Sequence, residues 1–430
     1  MKPLYLLTIL IPVGSLIGFL SCHKKDYPYG PPPEITAIGP DSGHFSTVLT
    51  LTGRDFNSVA SGNTVLIDSV PATVLYASTD SLVVSVPTTH TGNVIVKTLA
   101  GSSTGPVFKY LADVFVCGNR TDFTYGSSYQ TALYWENGTP VQLTNGSSNA
   151  GACCIVAPAD DIYVGGYEYS GGSEIATIWK NGVATTLNSP SQNGEVDALA
   201  VSGSDIYAAG FLRKGGNTVA ALWKNGNLTL LADSTGNTDV TGIVIAGGSI
   251  YLSGYKTDAT QTQSQALLWQ NGQIIRLTDT TDNARANCVA ISGNDIYAGG
   301  FESLAAMGFA NDYPTYWKNG TPFFQTGTSY GYVNSIALSN NVVYMVGYDL
   351  PEYSSYAMAY WTSAPVFVGL PSASGVASAI VIDSTDIYIA GEELNGGYYK
   401  AHYWKNGADS LLDKSSSTVS TATFGLFVRH

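Results

Sequence analysis

Seven tryptophans recur at nearly constant spacing, and this repeat constrains the fold more than any other feature of the chain. They stand 43 to 48 residues apart, at Trp135, Trp179, Trp223, Trp269, Trp317, Trp361 and Trp404. A second motif, such as "DIYVGGY" at 161–167, precedes each tryptophan, and a third, such as "VDALAVSGS" at 196–204, opens most units. Units of about 40–50 residues with four short apolar segments are typical of the blades of a β-propeller. The repeat therefore predicts a seven-bladed propeller over residues 112–430.

Each unit divides into four predicted strands, A to D, joined by tight turns on one face. An Asn-Gly pair between strands C and D predicts a type I′ turn, because both positions of that turn need positive φ. The pair begins at Asn137, Asn181, Asn225, Asn271, Asn319 and Asn406, whereas the sixth unit has "WTSAP". We expect the tryptophan of "IWKNG" to pack between blades. The aspartates that open strand B are predicted to bond backbone amides in the preceding turn: Asp161, Asp205, Asp295 and Asp386.

The order of the repeat motifs predicts how the ring closes. The repeats begin with a B-type strand, "DVFVCGN" at 113–119, and end with an A-type strand, "TATFGLFVRH" at 421–430. We therefore expect the C-terminal strand to complete the first blade. The units resemble secreted bacterial repeat propellers with "DIYVGG…WKNG" motifs, and this resemblance implies a fold but no activity.

Residues 34–111 form a different kind of segment, in which short strands with period-2 alternation are bounded by Gly, Pro, Asn and Asp. This pattern predicts a small β-sandwich. The motifs "GPDSG" at 39–43, "LTLTGRDF" at 49–56 and "VVSVP" at 83–87 resemble the IPT/TIG family of immunoglobulin-like domains. The resemblance implies a spacer, with binding by exposed edge strands as the alternative. The predicted fold is thus all-β, an Ig-like sandwich followed by a propeller.

The N-terminal residues predict export. Lys2 precedes an apolar run that ends in "GFLSC" at Cys22, as in a secretory signal peptide over residues 1–21. The arrangement resembles a bacterial lipobox, which implies cleavage before Cys22 and acylation of its thiol. A tether over residues 22–33 follows, and its "CHKKD" resembles lipoproteins of the Bacteroidota. We expect an outer-membrane lipoprotein with its lipid anchor in the membrane and its domains exposed at the cell surface. An ordinary signal peptide is the alternative.

Charge and composition narrow the function. The chain has 19 basic and 32 acidic residues, a formal charge of −13, which argues against nucleic-acid binding. Its scattered histidines do not form a catalytic or metal-binding pattern, and the cysteines at 117, 153, 154 and 288 are expected to be structural. We predict no cofactor. The alternative is Ca²⁺ bound by paired acids such as Glu392 with Glu393, or Asp279 with Asp282.

The face opposite the tight turns is the predicted binding face, because its B–C and D–A loops are expected to be long and irregular. Aromatic side chains from the B–C loops are candidate ligand contacts: Tyr169, Tyr255, Phe301, Tyr353 and Tyr398. One position early in strand A adds a ring of small polar groups: Asp197, Thr241, Asn287, Asn334 and Ser378. Such groups suit a glycan or a surface protein. The alternatives are that the tyrosines cap blade edges and that the ring groups bond one another.

Three functions remain open from the sequence. The first is non-catalytic recognition of a glycan or protein, the second a polysaccharide lyase or hydrolase at the channel mouth, and the third a structural or assembly role. The sequence does not predict an oligomeric state. Convergence of the charged residues that break the repeat would favour the enzyme: Arg213, Lys214, Glu302, Glu352 and Glu392.

Overall fold

A computed structural model describes most of the chain as two compact units, Met1–Leu111 and Ala112–His430. The described residues are 29–123, 129–232, 236–258, 260, 263–279, 283–303, 312–325, 330–350, 357–363, 374–415 and 418–429. Cys22 therefore lies outside them. Within these ranges the chain is all-β apart from one 3₁₀ turn, Ala60–Gly62. No helix in the described part is long and apolar enough to cross a membrane.

The N-terminal unit is the predicted Ig-like sandwich. Its strands are β1 Glu34–Gly39, β2 Ser42–Gly43, β3 Val48–Arg54, β4 Thr64–Ile67, β5 Val70–Ala77, β6 Ser81–Ser85, β7 Gly92–Thr98 and β8 Gly101–Tyr110. They hydrogen-bond in the order β1-β3-β6-β5-β4-β7-β8-β2. Alternate residues such as Leu49, Leu51, Val94 and Val96 form one buried core, which is the consequence of their period-2 pattern.

The second unit is the predicted propeller of seven blades. The first four blades comprise β35 Val419–Arg429 with β9 Asp113–Asp122, β10 Gln130–Glu136 and β11 Thr139–Gln142; β12 Ala150–Val156, β13 Tyr163–Ser170, β14 Ser173–Lys180 and β15 Val183–Thr186; β16 Gly194–Ser202, β17 Asp205–Lys214, β18 Asn217–Lys224 and β19 Asn227–Leu230; and β20 Thr238–Ala246, β21 Ser249–Thr257, β22 Ser264–Gln270 and β23 Gln273–Arg276. The last three comprise β24 Ala284–Ser292, β25 Asp295–Ser303, β26 Asp312–Lys318 and β27 Thr321–Phe324; β28 Gly331–Ser339, β29 Val342–Asp349 and β30 Ala357–Thr362; and β31 Gly375–Asp383, β32 Asp386–Asn395, β33 Tyr398–Lys405 and β34 Ala408–Leu411. The A strand of each blade contacts the A strands of its two neighbours, so the A strands form the inner wall of the ring.

The tryptophans pack between blades, as predicted. All seven are at most 3% exposed. Trp179 of the second blade lies in one cluster with Phe115 and Tyr134 of the first, and Trp135 of the first blade packs against Tyr388 of the seventh. Each tryptophan thus covers the face of the preceding blade, and Trp135 closes the circle.

The motif "DIY…WKNG" also forms one network per blade. The Asn-Gly pairs adopt the predicted type I′ geometry, with φ 50° at Asn181 and 80° at Gly182. The carboxylate of Asp161 accepts from Asn181 Nδ2 at 2.8 Å and pairs with Lys180 Nζ at 2.7 Å. The backbone amide of Ile162 donates instead to Asn181 Oδ1. The prediction of a bond to a backbone amide of the preceding turn was therefore wrong for Asp161, because its carboxylate bonds side chains instead. Asp205, Asp295 and Asp386 repeat the arrangement.

The C-terminal strand completes the first blade, as predicted. β35 pairs antiparallel with β9 from Val419 opposite Asp122 to Arg429 opposite Asp113. The Arg429 guanidinium pairs with Asp113 at 3.0 Å and lies over the Phe115 ring at 4.9 Å. It takes the place of the lysine that four other blades have, since Glu136 stands at that position in the first blade.

Three connections on the predicted binding face are shorter than expected. In the second, third and seventh blades strands B and C meet at a two-residue Gly-Gly turn, such as Gly171-Gly172 with φ of 61° and 89°. The D–A connections whose bounding strands are described span six or seven residues. Several of them end in an asparagine whose Oδ1 accepts the amide at the start of strand C: Asn149, Asn193, Asn237 and Asn283. The prediction of long, irregular loops was therefore wrong for the three Gly-Gly turns between strands B and C.

Candidate functional site

Every A strand carries a β-bulge at the same position, and the residues at these bulges form the ring predicted from the sequence. The bulge residues are Phe424, Cys153, Asp197, Thr241, Asn287, Asn334 and Ser378, in the order of the blades. A bulge inserts one unpaired residue and turns its side chain out of the regular alternation. Six of the seven residues line one cavity at the channel mouth, and Asn287 is the exception.

Four consecutive bulge residues bond from blade to blade. The bonds are Thr241 Oγ1 to Ala286 O at 2.6 Å, Asn287 Nδ2 to Val333 O at 2.9 Å, Asn334 Nδ2 to Ala377 O at 3.0 Å, and Ser378 Oγ with Thr423 Oγ1 at 3.1 Å. In each case the partner is the residue just before the next blade's bulge. These four polar groups hold the inner wall together.

The chain of bonds is interrupted in the first three blades, where the bulges hold Phe424, Cys153 and Asp197. Phe424 has no polar group and is 45% exposed. Cys153 Sγ donates to Glu195 Oε1 at 2.9 Å. Asp197 Oδ2 is buried without a hydrogen-bond partner. The Oδ2 atom of Asp197 therefore does not repeat the bond that Thr241 makes to a carbonyl of the next blade.

The cavity at this mouth measures about 630 Å³. It is lined by Asn119, Gln130, Cys153, Tyr167, Glu174, Glu195, Asp197, Thr241, Asn334, Val376, Ser378, Glu392, Thr423 and Phe424. Four of these lining residues are acids, and none is lysine, arginine or histidine. The mouth is therefore polar and acidic, with two aromatic rings at its wall.

Burial raises the pKa values of the acids at this mouth. It raises the pKa of Asp197 well above its usual value, with Asp239 and Glu195 adding to the effect. The pKa of Glu195 rises from the same cause, and that of Glu392 rises to about 7. Burial also raises the pKa of the Cys153 thiol, and the two neighbouring carboxylates raise it further. Negative charge is disfavoured throughout this cluster, because it has little positive charge beside it.

The residue two positions before each bulge differs from blade to blade. It holds Gly151, Glu195, Asp239, Arg285, Tyr332, Val376 and Ala422. At this position Glu195 places a carboxyl group on the third blade, and Asp239 places one on the fourth. Tyr332 stacks on Phe301 at 4.1 Å and donates its hydroxyl to Asp312 at 3.0 Å. Sequence reasoning missed this position, although its variation between otherwise similar units is visible in the sequence.

The predicted aromatic contacts lie outside the lining of this cavity. Tyr169 is exposed at the end of β13, Tyr255 lies under the Arg285 guanidinium at 4.1 Å, and Tyr398 contacts Phe123. Phe301 is only 3% exposed, so its ring packs on Tyr332 rather than facing solvent. Tyr353 lies outside the described residues. Two other rings line the cavity instead, Tyr167 and Phe424.

The charged residues that break the repeat do not converge on the cavity as a group. Glu392 lines it, whereas Arg213, Lys214 and Glu302 do not, and Glu352 lies outside the described residues. Glu392 and Glu393 are adjacent on β32, so their side chains point to opposite faces of the strand. Asp282, half of the other predicted acid pair, lies outside the described residues.

A match to a known protein family supports the Ig-like fold of the N-terminal unit. Residues 33–125 match the family described as the IPT/TIG domain. The chain therefore contains an IPT/TIG domain followed by a seven-bladed β-propeller. The match extends into β9, which pairs with propeller strands. No curated protein matches the chain in sequence.

Several solved structures are similar to the chain over most of its length. An auxiliary nutrient binding protein from Bacteroides thetaiotaomicron is 13% identical, with 85% of this chain and 96% of that chain covered and a TM-score of 0.30. One from Bacteroides ovatus is 14% identical, with coverage of 83% and 94% and a TM-score of 0.32. The β-propeller domain of the trilobed protease from Pyrococcus furiosus is 10% identical, with coverage of 76% and 96% and a TM-score of 0.44.

Proposed function

We propose that this protein is a non-catalytic binding protein that holds a glycan at the mouth of its propeller channel. A lipid on Cys22 would anchor it to the outer membrane with its domains outside the cell, and the IPT/TIG domain would act as a spacer. The observation that carries the proposal is the cavity of about 630 Å³ among the bulge residues. Pockets of roughly 300–1,000 Å³ are typical of small-ligand sites.

The lining of the cavity supports a sugar as the ligand. Sugar rings offer apolar faces to aromatic side chains and hydroxyl groups to amides and hydroxyls. Tyr167 and Phe424 supply the rings, and the Tyr167 hydroxyl donates to Gln130 Oε1 at 3.1 Å. Asn119 is held by the amide of Ala152 at 2.9 Å, so its amide group is fixed at the wall.

A glycan array with the purified protein tests the proposal. We expect binding to a limited set of glycans and a loss of about tenfold in affinity for Phe424→Ala, because the exposed ring is a stacking surface. Phe323→Ala is the matched control. Phe323 is also an exposed phenylalanine, but it lies on the outer strand β27 against Tyr316. This variant should bind as the wild type does.

Two results would contradict the proposal. The absence of binding across a broad array would favour a surface protein as the partner. Release of shorter sugars during incubation would favour the alternative of a polysaccharide-active enzyme. In that case Glu392 would be the candidate acid, since burial raises its pKa to about 7.

A further inference from the structure

Three side chains that can bind a metal meet where the ring of bulge bonds is interrupted. Cys153 Sγ and one carboxylate oxygen each from Glu195 and Asp197 lie within 4.8 Å of one another. Cys153 belongs to β12, and the two acids belong to β16. Both are A strands of the inner wall, so the spacing is fixed by blade packing rather than by a loop. The cluster opens into the channel cavity.

Within the described residues, the Cys153 thiol donates to Glu195 in this cluster, but no lysine, arginine or histidine lines the cavity beside it. Asp197 Oδ2 and the Oδ1 atom of neighbouring Asp239 are buried without hydrogen-bond partners. Arg285 acts on Asp239, but its guanidinium lies over the Tyr255 ring at 4.1 Å, and it does not line the cavity. Carboxylates buried without a donor or a cation carry a large desolvation cost. A bound cation would remove that cost.

We propose that Cys153, Glu195 and Asp197 bind one divalent cation of the zinc class, with a further coordination position open to the cavity. Zinc accepts thiolate and carboxylate ligands at about 2.0–2.3 Å, which places the ligand atoms about 3.5 Å apart in a tetrahedral site. Binding requires side-chain rotations that bring the three ligand atoms from their present spacing, within 4.8 Å of one another, to that geometry. A thiolate ligand favours zinc over the calcium considered from the sequence, because calcium prefers oxygen ligands.

Metal binding exchanges protons for the cation. The Sγ–H bond of Cys153 breaks as the Sγ–metal bond forms, and the proton goes to solvent. A proton held by the carboxyl of Glu195 or Asp197 leaves to solvent in the same way as that oxygen coordinates the metal. Glu195 Oε1, which accepts the thiol hydrogen bond at 2.9 Å, becomes free to coordinate. The open position faces the cavity, where a water or a ligand hydroxyl completes the coordination. The site exists independently of whether the cavity holds a glycan.

Cadmium titration of the purified, metal-free full chain tests the site, because cadmium replaces zinc and gives an ultraviolet thiolate charge-transfer band. We expect one equivalent to produce the band, and zinc to bind with the same stoichiometry by calorimetry. Cys153→Ser should remove the band of this site and weaken zinc binding about tenfold or more. Serine already occupies the equivalent bulge at Ser378. Subtracting the variant from the wild type also removes any signal from Cys22.

Cys154→Ala is the matched control for this titration. Cys154 is the next residue along β12, and the third and seventh blades have alanine there, at Ala198 and Ala379. This variant should bind as the wild type does. Asp197→Asn should weaken zinc binding to a similar degree as Cys153→Ser.

Three results would overturn the proposal: neither cadmium nor zinc bound by the wild type, equal binding by Cys153→Ser, or equal binding by Asp197→Asn. The first would mean that protons alone neutralise the cluster. None of them affects the glycan-array result, so the two proposals fail separately.

Discussion

The bulge position of the A strands contributes to the scaffold in some blades and to the candidate site in others, and the type of residue there determines which role it has. At the bulge, Thr241, Asn287 and Asn334 carry a donor that reaches a carbonyl of the next blade. Asp197 at the same position carries an acceptor and leaves one oxygen unpartnered. The difference of one functional group therefore converts a structural bond into an open polar group at the cavity.

The repeated tryptophans predict a stability effect that is separate from binding. Trp179 is fully buried between the first two blades, and its Nε1 donates to Glu168 at 3.1 Å. Trp179→Ala should lower the free energy of unfolding by about 3–5 kcal/mol, because it leaves a large cavity. Denaturant unfolding measures the loss, and Trp179→Phe should lose less. Normal unfolding together with lost ligand binding would contradict the structural role.

Replacement of Glu392 is predicted to raise the stability of the fold, and only at a pH where the carboxyl is ionised. Burial raises its pKa from the usual 4.5 to about 7. Below pH 4.5 the group is protonated in both states and has no effect. Between about pH 4.5 and 7 the unfolded chain loses the proton first, so rising pH destabilises the fold, and above 7 the penalty is constant. Glu392→Gln should therefore raise stability at pH 8 by on the order of 2 kcal/mol and leave it unchanged at pH 4.

Thermal unfolding of Glu392→Gln and the wild type at the two pH values measures this effect. Glu393→Gln makes the same chemical change on the opposite face of β32, 3.8 Å from His402 Nε2. It should not reproduce the gain at pH 8. An equal gain at both pH values for Glu392→Gln would show that ionisation is not the cause.

At the scale of the strand, the B–C–D hairpins use one network with interchangeable members. Most blades pair an aspartate with a lysine and an asparagine, as at Asp161. The fourth blade replaces the charged pair with neutral groups, where Ser249 accepts from Asn271 and Gln270 donates to the Tyr251 hydroxyl. In the sixth blade Ser363 takes the place of the asparagine and accepts the amide of Val343. In each of these blades the backbone amide near the start of strand B donates to a side chain of the C–D connection, whether or not the blade also has an ion pair.

The ion pair on the closing strand β35 differs from the ion pairs of the other blades, because its two side chains are buried. The side chains of Arg429 and Asp113 are 6% and 2% exposed, and Arg429 also donates to the carbonyl of Ala159. Arg429→Met should cost about 3–5 kcal/mol, because it leaves the Asp113 charge buried without its partner. Deletion of 421–430 should prevent cooperative folding altogether. Thermal melting measures both changes.

The matched control for Arg429→Met is Arg276→Met. Arg276 lies exposed on the outer strand β23, and its replacement should change stability by less than about 0.5 kcal/mol. An unchanged melting transition for the chain without residues 421–430 would contradict closure of the ring by β35.

Turn chemistry was only partly predictable from the sequence. The Asn-Gly turns followed directly, because alternating apolar strands flank them. The Gly171-Gly172 turn was missed, because the strands around it extend beyond the core and lose their apolar alternation. The residues near it, such as Tyr169, are exposed on strand ends rather than on a loop.

At the scale of the whole molecule, the repeat was sufficient to predict the ring, its blade number and its closing strand. The polar bulge ring was also predictable, as a column of small polar residues in aligned units. The cluster of Cys153 with Glu195 was not, because the two residues are 42 positions apart and meet only across two blades. Their contact depends on ring curvature, which no single unit encodes.

The closing strand also determines when the propeller can finish folding during synthesis. Arg429 and Asp113 are 316 residues apart, and β9 has β10 as its sole strand partner until β35 arrives. Because the ribosome synthesises β9 long before β35, the first blade keeps an open strand edge while the other six blades emerge. Such an edge is a template for pairing with other chains. The ring can therefore close only after all seven blades have been synthesised, and a chain that stops upstream of β35 keeps an open strand edge on its first blade.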